Sequence, residues 1–399
     1  MTAAATGATR IRDVGLVGRE DWGLFVIDIA DGRIAAVTPA SAVGSAALGS
    51  PDPPSVVEGA GLLAAPGFIE LQVNGGFGHD FTADPASIWT VGAALPRQGV
   101  TAFLPTIVTS PRETVEAARA AVLAGPPAGY LGAVPLGLHV EGPFISPERA
   151  GAHDPRLIRD PDPAFAAEWR PDGGVRIVTL APERPGALEM IQELVGRGVV
   201  VSIGHTAATA GQARAAFDAG ATAVTHLFNA MPGLDHRQPG PVGAALADPR
   251  VTVGLIADGL HVDPLVVGLA WRLAGPGRVS AVTDAIAALG RPPGRYPLGA
   301  VEVVVDASSA RLADGRLAGS LLTLDRAIRN LRAFTGASIA DAVGAVTTTP
   351  ARLLGLAATH GQLRPGVAAD VVLLTRDLEV VATFVGGQPV HRSGSAGEG

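Results

Sequence analysis

The chain has 399 residues, 47% of them hydrophobic and 17% charged, enough for a large core plus a small accessory domain. Its formal net charge of −7 argues against general binding to nucleic acid or an anionic membrane, while leaving room for one small anion-binding pocket. It contains no cysteine, so disulfides and thiolate ligands are excluded and any metal must sit on His, Asp, Glu or water.

Residues 1–65 carry short β-type runs, VGLVG, LFVIDIA and RIAAVTP, broken by Gly, Asp and Pro, with DGRI at 31–34 reading as a hairpin turn. The opening stretch lacks an apolar segment of secretory length, and no 18-residue apolar run follows, which predicts a cytoplasmic protein. Residues 66–354 alternate instead. Eight apolar runs between Phe68 and Val279 (PGFIELQV, VTAFLPTIV, AVPLGLHVE, VRIVTLAP, VVVSIGHT, ATAVTHLF, VTVGLIAD and VSAVTDAI) are mostly separated by Ala-rich helical stretches. This alternation predicts parallel β/α units, and eight of them in this length fit an α/β fold of the (β/α)8, TIM-barrel type. A doubly wound open sheet is disfavoured, because no Gly-rich dinucleotide fingerprint follows the first run and polar residues end nearly every run. VEVVVDASSARLADGRLAG then reads as an inserted hairpin, followed by helices near 323–335 and 338–346. Residues 355–399 return to short strands and tight turns, which predicts one small β-sandwich domain assembled from 1–65 and 355–399.

In LGLHVEGPF, His139 and Glu141 are two apart and share one face of a strand that ends in a Gly-Pro break. A carboxylate carried to the end of a buried strand is costly unless something pairs with it. His205 and His226 end two further β-branched runs, and one Glu with two His at strand ends forms a plausible divalent-metal ligand set. A lone histidine on an apolar strand is more often a satisfied core residue, which is the reading kept for the deeper His139. Asp284 ends the eighth run, where it is either a helix cap or a general base. Asp258 and His261 follow the seventh run, with a turn and a surface histidine as the plain alternatives. His153 lies in a Pro/Gly loop after the third run. His236 and Arg237 lie in a loop after the sixth, where an arginine can grip a phosphate through its planar fork. Gln72 and Asn74 end the first run; both are poor metal ligands, so they predict one metal ion rather than two.

With these residues in view, the chain resembles the amidohydrolase superfamily, most closely its branch of N-acetylglucosamine-6-phosphate deacetylases. The motifs that carry the resemblance are PGFIELQVNG (66–75), HVEGPF (139–144), RAGAH (149–153), GHT (204–206), THLFNAM (225–231), RQPG (237–240), ADGLH (257–261), VTDA (282–285) and LAGS (317–320). TPARLLGL and LRPGVAADVVLL match the superfamily's C-terminal segments. The family commonly has Lys at the position of Arg149. The resemblance implies a single divalent ion, zinc among the candidates, on Glu141, His205 and His226, with Asp284 as catalytic acid and base. It also implies substrate contacts from Ala152, His153, Asn229, Ala230, His261, Leu317, Ala318 and Gly319. Arg237 would reach the phosphate across the interface of a homodimer. The implied reaction is hydrolysis of the acetamide of N-acetyl-D-glucosamine 6-phosphate to glucosamine 6-phosphate and acetate, in amino-sugar recycling. The sequence leaves open the galacto epimer, another amide or cyclic-amide substrate, and a catalytically silent binding subunit.

Overall fold

A computed structural model describes residues 8–42 and 55–393. All eight expected runs form parallel strands: β1 (Phe68–Val73), β2 (Val100–Val108), β3 (Leu138–Glu141), β4 (Val175–Leu180), β5 (Val200–Ile203), β6 (Ala223–Val224), β7 (Thr252–Leu255) and β8 (Val279–Ala281). Each pairs in parallel with the next, so the strand order around the sheet follows the order of the sequence. Strands of this kind are covered on both faces, which is why they read as near-continuous Val, Ile, Leu and Ala runs rather than alternating ones. All nine residues of β2 are buried.

The curl closes beyond the last strand. Val73 bridges Ala285, Asn74 N–H donates to the Ala285 carbonyl at 2.7 Å, and Asp284 N–H donates to the Gln72 carbonyl at 2.9 Å. The molecule is therefore a TIM-type barrel. Helices pack outside it, among them Arg112–Leu123 and Ala210–Asp218, where the Ala-rich stretches led us to expect them, and Leu324–Thr335, expected near 323–335. The link from β3 to β4 contains 3-10 turns at Pro147–Arg149 and Pro155–Leu157 but no α-helix. Its anchor is an aromatic cluster in which Phe144 lies 5.8 Å from Phe165 and 5.7 Å from Trp169.

The second sheet combines both ends of the chain. Strand Leu63–Pro66 runs antiparallel to Val371–Leu374, and Thr9–Leu16 pairs along its length with Phe25–Ala30, Ser55–Glu58 and Leu63–Pro66. Ile11, Ile27, Ile34, Val371 and Phe384 share one apolar core separate from that of the barrel. Asp31 and Gly32, at φ 50° and 72°, form the turn between Phe25–Ala30 and Arg33–Pro39, as DGRI suggested. The expected hairpin after β8 is larger than its sequence signal: Gly294–Leu298 adds a third antiparallel strand to Val301–Val305 and Ala310–Arg311.

One buried carboxylate serves the barrel seam. Glu70 accepts hydrogen bonds from the N–H groups of Gln72 at 3.0 Å and Thr283 at 3.2 Å, standing in for ladder bonds between β1 and the chain after β8. Burial, only partly opposed by these hydrogen bonds, pushes its carboxyl up to about 8. The folded chain then holds a proton that the unfolded chain releases near the ordinary carboxyl range. Stability is predicted to fall as pH rises from about 4.5 towards 8. In Glu70→Gln this slope should flatten, measured as urea midpoints across that pH window.

Candidate active site

The C-terminal ends of the strands open into one cavity of about 920 Å³. It is lined by every residue assigned above to metal, catalysis or substrate, with the single exception of Arg237: Glu141, Ala152, His153, His205, His226, Asn229, Ala230, His261, Asp284, Leu317, Ala318 and Gly319. Arg237 is exposed in its loop, which is tied by Arg237 N–H donating to Asp235 at 2.8 Å. His236 is exposed beside it.

Strand geometry explains the convergence. Glu141 is the last residue of β3, while His205 and His226 each stand two residues past the ends of β5 and β6. His205 Nε2 lies 3.2 Å and His226 Nε2 3.0 Å from Glu141 Oε1, and the two nitrogens are 3.0 Å apart. His205, His226, Phe228, Ala230 and Asp284 all have positive φ, between 30° and 79°. Such strain costs on the order of 1–3 kcal/mol per residue and persists only where the surroundings enforce it.

Hydrogen bonds sort the imidazoles. His205 Nδ1 donates to the Arg149 carbonyl at 2.8 Å, so its Nε2 presents a lone pair to Glu141 and His226. A Lys at position 149 would offer the same carbonyl, so the Arg departure changes nothing chemical. His153 is arranged oppositely. Its Nδ1 accepts from Thr109 N–H at 3.1 Å and lies 2.7 Å from the Thr109 hydroxyl, which leaves the proton on Nε2. Burial, together with nearby His205, pushes His153 down to about 3, so it is neutral near pH 7. His261 is not a surface histidine: Asp258 Oδ2 holds its Nδ1 at 2.6 Å with both side chains largely buried. His139 sits deeper, between the Leu71 carbonyl at 3.0 Å and the Thr179 hydroxyl at 2.7 Å, and is a satisfied core residue.

The carboxylates differ as sharply. Burial opposes charge on Glu141, but the imidazoles of His205 and His226 set against it outweigh burial and hold it well below the usual range. Asp284 is pushed up to about 6 by burial and by the charge of Glu141. Asn74 Nδ2 at 2.7 Å and Gln72 Nε2 at 3.3 Å both donate to Asp284 Oδ1, and Gln72 also donates to Glu141 at 3.1 Å. These amides thus spend their N–H groups on the carboxylates. Oδ2 of Asp284 has no hydrogen-bond partner among the described residues.

The donor chemistry fits a cation. Glu141, His153 and His205 bring potential ligand atoms within 4.8 Å of one another, with His226 packed against two of them. Two imidazole nitrogens facing each other around one carboxylate oxygen either share a proton or share a positive ion. His226 Nδ1, buried and without a hydrogen bond, does not fix its tautomer from the other side. Sequence reasoning missed Thr109, whose bond to His153 spans 44 residues, and the exposed Arg311 and Arg316 on the cavity wall, which come from the hairpin.

The sequence model of the Amidohydrolase family matches residues 63–390. The chain belongs to the amidohydrolase family. Among its relatives, an N-acetylgalactosamine-6-phosphate deacetylase of Escherichia coli O157:H7 is 41% identical, over 90% of this chain and 93% of the relative. The N-acetylglucosamine-6-phosphate deacetylase of Rattus norvegicus is 43% identical, over 84% and 85%. Among solved structures, a mutant N-acetyl-D-glucosamine-6-phosphate deacetylase of Mycobacterium smegmatis, in complex with N-acetyl-D-glucosamine 6-phosphate, superposes with a TM-score of 0.85. That structure is 36% identical, covering 96% of this chain and 100% of its own. The Thermotoga maritima N-acetylglucosamine-6-phosphate deacetylase gives 0.84 at 32% identity, with coverage of 96% and 100%. Like other amidohydrolases this chain is an enzyme with a metal-binding site in its barrel. No helix among the described residues is long and apolar enough to cross a membrane.

In this amidohydrolase Gln72 and Asn74, at the end of β1, are poor metal ligands, which predicts a single ion. Metal analysis of fully active protein should find about one divalent ion per chain, the stoichiometry of a mononuclear hydrolytic centre. Two ions per chain would overturn this.

Proposed function

We propose that the chain hydrolyses the acetamide of N-acetyl-D-glucosamine 6-phosphate to D-glucosamine 6-phosphate and acetate. The observation that carries this reading is the pairing of Asp284 and His153 around the Glu141, His205 and His226 cluster, in a cavity that a phosphorylated amino sugar would fit. The named activities of relatives above 40% identity support it.

Glu141, His205 and His226 would hold one divalent ion. Zinc suits this nitrogen-rich, thiolate-free set. When bound, such an ion supplies Lewis acidity and lowers the pKa of water towards about 7. His153, with its proton on Nε2, donates to the acetamide carbonyl oxygen as negative charge develops there. Asp284 does the proton work. Gln72 and Asn74 pin Oδ1, so Oδ2 takes a proton from the attacking water and delivers it to the departing amine. Ala152, Asn229, Ala230, His261 and the Leu317–Gly319 segment would position the sugar phosphate, with His261 aimed by Asp258. Arg237 stands outside its own cavity lining, in keeping with a homodimer in which each protomer's Arg237 serves the other's phosphate pocket.

Acetate release from N-acetylglucosamine 6-phosphate is the direct test, and its absence in metal-replete protein would refute the reading. The galacto epimer is the second reading, favoured by the Escherichia coli relative, and belongs in the same substrate panel. Asp284→Asn should lower kcat by roughly 10²-fold or more while metal content is retained. Normal turnover would reduce Asp284 to a structural cap. For Arg237→Ala, loss of a charge-assisted contact of about 1.5–3 kcal/mol predicts a kcat/KM roughly 10- to 150-fold lower on the phosphorylated sugar. Little should change on unphosphorylated N-acetylglucosamine. Equal losses on both would assign Arg237 to loop support.

A further inference from the structure

β4 and the loop after it add no residue to the lining of the active-site cavity, although β4 lies between the strands that lead to Glu141 and His205. One side chain of that loop nevertheless reaches the edge of the site. Glu183, half-buried three residues past the end of β4, accepts at Oε1 from the Ala207 N–H at 2.6 Å and at Oε2 from the Thr206 hydroxyl. Thr206 is fully buried, and its hydroxyl in turn accepts from the Ala208 N–H at 2.9 Å. Both oxygens of one carboxylate are thus committed to the two residues that follow His205.

That turn depends on an outside hold. His205 has φ 46°, a conformation that a non-glycine residue keeps only where its surroundings enforce it. Residues 205–208 lie between β5 and the helix Ala210–Asp218, so neither ladder nor helix bonds fix them. On one side, Ser146 N–H donates to the His205 carbonyl at 2.8 Å. On the other, Thr206 N–H donates to the Ala230 carbonyl at 3.1 Å. The remaining donors of residues 206–208 go to Glu183, or to the hydroxyl that Glu183 orients. Without the carboxylate, the Ala207 N–H and the buried Thr206 hydroxyl lose their acceptors, and the backbone can satisfy them only by shifting.

We propose that Glu183 is a positioning residue for the metal centre: it clamps the turn behind His205 and so keeps the His205 Nε2 aimed at the point it shares with Glu141 and His226. The clamp rests on the proposed ligand set of Glu141, His205 and His226. Glu183 lines no part of the cavity and acts only through its neighbours. Hydrogen-bond partners that orient a ligand from outside the coordination sphere are worth about 10- to 100-fold in metal affinity. The same turn also steadies the substrate side of the cavity, since Thr206 N–H holds the carbonyl of Ala230.

Titration of the metal-free full chain with cobalt(II), in competition with a chelator and followed by the visible absorption of the bound ion, tests this. Glu183→Ala is expected to bind cobalt about 10- to 100-fold more weakly than wild type, with an altered absorption band. Glu183→Gln keeps an oxygen for the Ala207 N–H and offers the Thr206 hydroxyl an amide donor, so it should recover most of the affinity. A residue that only stabilised the fold would lower the melting temperature of the metal-free protein and leave cobalt affinity and spectrum as in wild type. That result for Glu183→Ala overturns the proposal. Thr206→Val removes the same contact from its other end and should weaken cobalt in the same direction. If Glu183→Ala does not fold, wild-type affinity in Thr206→Val overturns the proposal instead. His205→Ala is the reference. A loss there with none in Glu183→Ala or Thr206→Val refutes the clamp alone, whereas full affinity in His205→Ala refutes the ligand set and the clamp with it.

Discussion

Glu141 is 2% exposed, and its carboxylate meets imidazole nitrogens of His205 and His226 at 3.2 and 3.0 Å. A buried charge of this kind is tolerated only when its partners are fixed in place, because desolvation alone would neutralise it. The partners come from β5 and β6, while Glu141 comes from β3, with β4 between them. Only a curled sheet brings the ends of non-adjacent strands to one point, so closure of the barrel is what makes the carboxylate affordable. The closure in turn rests on the chain just past β8, where Asp284 and Ala285 pair with Gln72, Val73 and Asn74. The seam and the proposed general base therefore occupy the same few residues.

This sharing explains why backbone strain collects where it does. His205, His226 and Asp284 leave their strands through the left-handed region, which turns each side chain from the barrel wall into the cavity. Hydrogen bonds then remove the remaining freedom: Ser320 N–H donates to the Asp284 carbonyl at 2.8 Å, and Arg149 fixes the His205 ring. Preorganised groups of this type need no reorganisation as charge moves during a reaction.

The eight strands were legible because parallel strands in a barrel are buried on both faces and so leave long apolar runs, and because polar residues ended those runs. Glu141, His205, His226 and Asp284 stood out for the same reason. Roles set by contact across the fold did not. Nothing local distinguishes Thr109, whose partner lies 44 residues on, or tells that Gln72 and Asn74 face two carboxylates. Asp258 and His261, three apart, looked like a turn with a surface histidine, and only burial of both side chains shows them to be an oriented pair. The short sheet strand Gly294–Leu298 was also missed, because GRYPL lacks a β-type pattern of its own.

The small sheet has a bearing on how the protein is made. Leu63–Pro66 finds its antiparallel partner only at Val371–Leu374, about 300 residues later. During synthesis, the N-terminal strands therefore leave the ribosome long before the edge they need exists. Throughout that interval Leu63, Ala64 and Ala65, fully covered in the finished fold, offer an open strand edge to other chains. A chain cut short before Val371 would keep every residue of the proposed site in sequence and still carry this edge uncovered, so premature termination near the C-terminus becomes a hazard of aggregation rather than a loss of chemistry.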